Sequence, residues 1–268
     1  MENNFFQFEH DFWNKTSDIY HDGFGYVTSL TIPHIIKHLK IKDNNKILDI
    51  ACGPGYISEY LKNNSYDISG IDFSESMINF AKDRLPKSKF QVASAEDLPF
   101  EDNSFEFVIC NFGMLHFANP QITTSEAYRV LKDGGKFAYS AWNELNKSPA
   151  MSIIMEAINK FSDTTVNLPE GPPFFYYALE ENSFPMLKNI GFKHIERKEI
   201  HEIWDIKSAK SFVEFYRDGG ARIGGILRAQ SKEALKNIIK EVENNIIPYK
   251  SDNIFKVPVS MVITYGTK

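Results

Sequence analysis

Short apolar runs alternate with helical patterns between residues 46 and 142 of this 268-residue chain. Five of the runs are near-continuously apolar, as buried strands are: 46–51, 67–72, 89–93, 105–110 and 136–141. Helical spacing lies between most of them, at 56–62, 74–85 and 120–131. Strands that alternate with helices in this way predict an α/β fold, with a parallel sheet covered by helices on both faces.

The residues that end the first two predicted strands have the character of a ligand site. In an open α/β sheet, ligands bind at the carboxyl ends of the strands. The first strand contains Asp49 and is followed by the turn CGPG at 52–55, where missing side chains let a ligand contact the backbone. The second strand ends in Asp72, 19 residues after Gly53. An acidic residue at about this distance can bind a ribose diol, so the pattern predicts a nucleoside site.

Charge argues against a dinucleotide at this turn. A pyrophosphate would lie against the carboxylate of Asp49, and Ser58 occupies the third glycine position of the dinucleotide fingerprint. S-Adenosylmethionine fits better than NAD, because it carries a ribose, an adenine and an ammonium group but no phosphate. The formal net charge of −5 also argues against nucleic acid as the main partner.

Four segments carry a resemblance to class I S-adenosylmethionine-dependent methyltransferases, closest to the quinone-biosynthesis-like and small-molecule group. In chain order they read ILDIACGPG, GIDFSESMINFAKDRL, ASAEDLPFEDNSFEFVICNFGMLHF and EAYRVLKDGGKFAYSAW. The segment 218–230 is also similar to the C-terminal part of bacterial members. The resemblance implies a Rossmann-like, seven-stranded, mostly parallel sheet with an antiparallel last strand. It also implies methyl transfer to O, C or N of a small, partly apolar or aromatic metabolite.

The resemblance assigns roles to particular residues of this chain. Those expected against the methionine moiety of the cofactor are Asp49, Ala51, Cys52, Gly53 and Gly55. Those expected around the ribose and the adenine are Asp72, Phe73, Met77, Ala95 and Glu96. Those expected beside the methyl group and the acceptor, or covering the cofactor, are Asn111, Phe112, His116 and Tyr20. Many members have Asp where this chain has Ser94, which predicts either a weaker adenine contact or a substitute contact from Glu96.

His116 is the candidate catalytic residue. A histidine titrates near neutral pH and could take a proton from a phenol or an enol, although a lone histidine after a strand is also a common core residue. Arg222 and Arg228 could hold a substrate carboxylate or serve in packing. The histidines and cysteines show no metal-ligand spacing, so we expect no metal.

The chain is interpreted as one methyltransferase domain over 1–268. Residues 1–45 form an N-terminal helical lid, 46–142 the cofactor-binding core, and 143–268 a cap insertion with the last strands. Only Cys52 and Cys110 are cysteines, and no signal-like or ~20-residue apolar segment is visible, so we expect a cytoplasmic protein without a membrane span. Two alternatives stay open: a protein or RNA methyltransferase, and a catalytically silent cofactor-binding regulator.

Overall fold

The predicted strands form one sheet with helices on both of its faces, which confirms the α/β fold class. The structure is a computed structural model that describes residues 4–62, 66–163 and 165–268. Its strands are β1 Lys46–Ile50, β2 Asp67–Asp72, β3 Lys89–Val92, β4 Phe105–Asn111, β5 Leu131–Trp142, β6 Lys193–Ile206, β7 Lys250–Ser251 and β8 Ile254–Thr267. Its α-helices are α1 Asn4–Trp13, α2 Ser17–Asp22, α3 Phe24–Ser29, α4 Ile32–Leu39, α5 Tyr56–Leu61, α6 Glu75–Arg84, α7 Pro120–Val130, α8 Pro149–Phe161, α9 Glu180–Ile190, α10 Ala209–Gly219, α11 Arg222–Arg228 and α12 Lys232–Ile246.

The sheet has the strand order β3-β2-β1-β4-β5-β8-β6. The first five strands along this order are parallel to one another, and β8 runs antiparallel to both of its neighbours. The two-residue strand β7 pairs with β8 and brings the described strands to eight rather than the expected seven. Strands β2 and β3 extend the sheet on one side of β1, whereas β4 and β5 extend it on the other. The strand order therefore reverses between β1 and β4, and ligands bind at such a point in open parallel sheets.

Successive residues of the central strands face opposite sides of the sheet, and each side has its own hydrophobic core. Ile47 and Ile109 pack on the side that carries α3, α4, α8 and the C-terminal helices, whereas Leu48 and Val108 pack on the side of α7 and α9. Both faces are therefore apolar, and four of the five residues of β1 are buried. This two-sided burial explains why the strands read as continuous apolar runs.

Strand β5 begins earlier than the sequence predicts. It was expected over 136–141, after a helix reaching residue 131, but it starts at Leu131. Leu131 pairs with Phe105, and regular pairing resumes at Lys136 opposite Phe107. The intervening turn contains Gly134 at φ +75°. The turn therefore interrupts the ladder without ending the strand.

Among the described residues, no helix is both long and apolar enough to cross a bilayer.

The aromatic core around Trp204 supports the wall of helices that covers the sheet. Trp204 is 1 % exposed, and its ring contacts that of Phe212 edge-on with 5.2 Å between centroids, whereas the adjacent Ile203 is 45 % exposed. We expect Trp204→Ala to lower the free energy of unfolding by about 3–5 kcal/mol, and Ile203→Ala to lower it by about 0.5 kcal/mol or less. Urea unfolding followed by far-UV circular dichroism measures both, and equal losses would contradict this assignment of the core.

Candidate functional site

The carboxyl ends of β1, β2 and β4 open into a cleft of about 1100 Å³, which the N-terminal helices and the C-terminal helices enclose. Of the residues predicted from the sequence, it brings together Tyr20, Asp49, Ala51, Cys52, Gly53, Asp72, Phe73, Met77, Asn111, Phe112 and His116. Ala95 and Glu96 line a smaller adjoining cavity of about 360 Å³, which shares Asp72 and His116 with the cleft. Gly55 lies outside both linings, at the start of α5 against Phe90.

The turn after β1 brings its backbone to the surface of the cleft. Gly53 has φ +50°, and a Cβ added there would meet nothing within 4 Å. Ala51 also adopts positive φ, at 55°, which is uncommon for a residue with a side chain. The turn is thus shaped so that main-chain groups, rather than side chains, face a ligand.

Asp72 joins the turn after β1 to the start of α6. Its Oδ2 accepts a hydrogen bond from Gly53 N, and its Oδ1 accepts one from Ser74 N, both at 2.9 Å. Burial raises the pKa of Asp72 to about 6, against the lowering effect of these hydrogen bonds. Each carboxylate oxygen can accept more than one hydrogen bond, so Asp72 retains the capacity to bind ligand hydroxyls.

Asp49 is a buried carboxylate without a partner. It is 1 % exposed, and neither of its oxygens finds a hydrogen-bond donor within the described residues. Burial, and after it the negative charge of Asp72, raises the pKa of Asp49 well above its usual range. A buried ionised group is costly unless it is paired. The chemistry that would satisfy Asp49 is therefore that of a cationic ligand group, such as an ammonium.

Glu96 and Ser94 are the two residues considered as acceptors for the adenine, and both already accept hydrogen bonds within the protein. Both oxygens of Glu96 accept hydrogen bonds from Asn119, from its backbone N and from Nδ2, each at 2.8 Å. Ser94 Oγ accepts a hydrogen bond from Glu96 N at 3.1 Å. Glu96 is thus held at the start of α7, and each of its oxygens retains the capacity to accept one further hydrogen bond.

Asn111 connects the end of β4 to the N-terminal helices. Its Oδ1 accepts hydrogen bonds from Thr31 Oγ1 and Ser140 Oγ, both at 2.6 Å, and its Nδ2 donates to Thr28 O at 3.0 Å. Asn111 lines the cleft, but the scaffold occupies its amide. Tyr20 is held in a similar way, by a 3.0 Å hydrogen bond between its hydroxyl and Thr28 Oγ1.

The half-buried His116 pairs with a buried residue that sequence reasoning missed. Its Nδ1 lies 2.8 Å from Oε2 of Glu9, and the same oxygen accepts a 2.8 Å hydrogen bond from Trp13 Nε1. Glu9 is completely buried. The signal that could have revealed it is its spacing of four residues from Phe5 and from Trp13, which places a carboxylate within an apolar helical stripe.

The far side of the cleft is apolar and aromatic. Apart from residues already named, its walls include Phe24, Leu115, Trp142, Met151, Phe174, Tyr216 and Ile223. Arg222 is the one lysine or arginine among the described residues of this lining, and its guanidinium donates to the carbonyl oxygens of Pro172 and Leu115. Met151 and Tyr216 come from α8 and α10, where no sequence motif pointed to a site.

Comparison with known proteins identifies the family. A family model described as a methyltransferase domain matches residues 48–139. The ubiquinone/menaquinone biosynthesis C-methyltransferase of Campylobacter jejuni is 36 % identical over 187 residues, which cover 62 % of this chain and 77 % of that protein. The chain belongs to the class I S-adenosylmethionine-dependent methyltransferase family. S-Adenosylmethionine is the cofactor of this family.

Two further matches define how far the similarity to other family members extends. A demethylmenaquinone methyltransferase of Renibacterium salmoninarum is 31 % identical over 137 residues, which cover 51 % of this chain and 58 % of that protein. The chain spans about half the length of the first such relatives. The solved structure of the YcgJ protein of Bacillus subtilis shares the fold, with a TM-score of 0.57, 19 % identity, and coverage of 89 % of this chain and 97 % of that one.

Asp49→Asn tests whether this methyltransferase keeps an unpaired carboxyl at its site. A folded-state pKa above the unfolded value adds stability that is present at low pH and is lost as the pH rises through the folded pKa. Asn avoids this loss and breaks no hydrogen bond of Asp49 within the described residues. The ligand-free variant should therefore be more thermally stable than wild type above the unfolded pKa of about 4, and the difference should grow as the pH rises, by about 2–4 °C per kcal/mol. Differential scanning calorimetry measures the shift, and a variant that melts below wild type at the higher pH would contradict the assignment.

Ser94→Asp tests the departure from the family's adenine contact. A carboxylate here can accept a charge-assisted hydrogen bond, which is about 1 kcal/mol stronger than a neutral one. We expect S-adenosylhomocysteine to bind the variant about fivefold more tightly, while Ser94→Ala serves as the matched control without an acceptor. Isothermal titration calorimetry reports both, and equal or weaker binding by the Asp variant would show that position 94 does not reach the adenine.

Proposed function

We propose that this protein transfers a methyl group from S-adenosylmethionine to a small, partly apolar or aromatic metabolite. The observation that carries the proposal is the unpaired, buried carboxylate of Asp49, beside Asp72 in a cleft whose opposite side is apolar. One region of the cleft suits a cation with hydroxyl groups, and the other suits a flat apolar molecule.

The residues at the carboxyl ends of β1 and β2 fit the cofactor. Asp49 would bind its ammonium group, and Asp72 its ribose hydroxyls, while the open space at Gly53 would admit it against the backbone. Phe73 and Met77 would flank the adenine, towards the smaller cavity that contains Ala95 and Glu96. When bound, S-adenosylmethionine supplies an electrophilic methyl group on a sulfonium.

The remaining residues would bind and orient the acceptor. Its apolar surface would pack against Trp142, Met151 and Tyr216. An acceptor held in line at near-attack distance can reach an effective molarity of ~10⁵–10⁸ M. His116 would take the acceptor's proton where the nucleophile carries one, a contribution of about 10²–10⁴-fold. The quinone-related names of the relatives support an aromatic acceptor.

The setting proposed for this activity is the cytoplasm. Both cysteines, Cys52 and Cys110, are buried and free, as is usual for proteins of a reducing compartment.

The proposal is tested by methyl transfer from radiolabelled S-adenosylmethionine. The acceptors are a reduced naphthoquinone with a short isoprenoid side chain, a panel of small phenols, total cell protein and total RNA. We expect label in the small aromatic acceptors. Label found only in protein or RNA would overturn the acceptor class, and saturable cofactor binding without transfer to any fraction would favour a silent regulator.

Binding of S-adenosylhomocysteine separates a failed cofactor site from a wrong acceptor. Asp49→Asn should weaken binding about 10- to 100-fold, because it removes a charge-assisted hydrogen bond worth about 1.5–3 kcal/mol. The matched control is Asp133→Asn, the same change at an exposed position in β5, which should leave the affinity unchanged. Equal affinities for the two variants, as measured by calorimetry, would contradict the role of Asp49.

A further inference from the structure

Glu9 is a buried carboxylate for which neither the cofactor site nor the sheet has a use. It lies on the inner face of α1 and has no exposed surface. Burying such a group costs several kcal/mol unless hydrogen bonds compensate. An apolar residue would continue the stripe formed by Phe5 and Trp13, so packing of α1 alone does not explain a glutamate here.

The hydrogen bonds of Glu9 determine which nitrogen of the neutral His116 ring carries the proton. Trp13 Nε1 can only donate, so Oε2 of Glu9 acts as an acceptor in the 2.8 Å bond between them. The same oxygen lies 2.8 Å from His116 Nδ1. A carboxylate oxygen that accepts at this position places the ring proton on Nδ1 and leaves the lone pair on Nε2.

The other ring nitrogen of His116 is available to a ligand. Within the described residues Nε2 makes no hydrogen bond, and the side chain lines both the cleft and the smaller cavity. Trp13 packs edge-on against the ring, with 5.0 Å between centroids, and so limits its rotation. In its neutral form, His116 therefore presents the lone pair of Nε2 at the place where the two cavities meet.

We propose that Glu9 is the positioning residue of His116, so that the N-terminal helix α1 completes the catalytic machinery. This inference rests on the proposed function. In the step it supports, the acceptor's proton moves to the lone pair of Nε2, and the electron pair of the broken bond stays on the acceptor atom. The ring then carries a positive charge, which lies 2.8 Å from the Glu9 carboxylate.

The charges that face His116 favour this arrangement. Asp72, at the end of β2, interacts electrostatically with His116. Arg222, on α11, interacts electrostatically with Glu9, and its guanidinium donates to the carbonyl oxygens of Pro172 and Leu115. Glu9 thus serves as the close counter-charge of the protonated ring, and it does so without touching the acceptor.

The tautomer of His116 is the direct test. The protein is labelled with ¹⁵N-histidine and studied with S-adenosylhomocysteine bound, at a pH where the ring is neutral, and His116→Gln assigns the resonance. Two-bond ¹H–¹⁵N correlations distinguish a proton on Nδ1 from one on Nε2. We expect the Nδ1–H form to dominate in wild type. Glu9→Met keeps the volume but removes the acceptor and should shift the ring to Nε2–H, and Glu9→Gln, which keeps an oxygen acceptor, should restore Nδ1–H.

The matched control is Glu126→Met, which removes a carboxylate bonded to Arg129 and should leave the tautomer of His116 unchanged. A wild-type ring protonated on Nε2 would overturn the proposal even if Glu9→Met does not fold. A Glu9→Met ring that stays protonated on Nδ1 would also overturn it.

The same variants distinguish a failure of this inference from a failure of the proposed function. With the naphthoquinol acceptor, Glu9→Met should lose about 10- to 100-fold in kcat, with the KM for S-adenosylmethionine changed less than about threefold. If Glu9→Met shifts the tautomer but leaves kcat unchanged, Glu9 has no role in the reaction, and the proposed methyl transfer is unaffected. If wild type transfers no methyl group but the tautomer pattern is as expected, the proposed function fails and the positioning of His116 by Glu9 stands.

Discussion

The carboxylate of Asp72 joins two loops that would otherwise be independent. By accepting hydrogen bonds from Gly53 and Ser74, it sets the turn after β1 and the start of α6 at a fixed distance. The Ser74 hydroxyl then continues the connection, because it caps α6 through Met77 N and donates to the backbone oxygen of Trp13. The wall of the cleft at the strand ends and its N-terminal cover thus depend on the same few bonds.

This construction leaves negative charge buried in the ligand-free protein. Asp49 and Asp72 repel one another, and Arg222, the one lysine or arginine among the described residues of the lining, donates to Pro172 and Leu115. Such an arrangement is poor for stability but favourable for a cationic ligand, a trade-off that is common at functional sites. The free energy lost on folding is recovered when a positive group binds.

Much of the fold, and the placing of the strand-end residues in one cleft, could be predicted from the sequence, because both depend on local patterns. Apolar runs place the strands, and the topology of a parallel sheet brings Asp49, Asp72 and Asn111 to one edge whatever the rest of the chain does. The early start of β5 was missed because the turn at Gly134 has the same composition whether a strand ends there or only bulges.

The wall of the cleft formed by the helices, and Glu9, could not be predicted in the same way. Met151 and Tyr216 reach the cleft through tertiary packing of helices far apart in the chain, and neither carries a local signal. Glu9 lies 107 residues from His116, so their pairing depends on where α1 docks. The pattern at the end of β4 places Asn111 at the cleft, but it could not show that Thr28, Thr31 and Ser140 hold its amide in place.

The two walls of the cleft come from different parts of the chain, and this has a consequence for how such a protein can diversify. The wall with Asp49 and Asp72 is built by strand ends locked into the sheet, so substitutions there disturb the scaffold. The other wall is supplied by side chains from helices α8, α10 and α11. Substitutions at Met151 or Tyr216 would change the shape of this wall, while the bonds of Asp72 at the strand ends would not be involved.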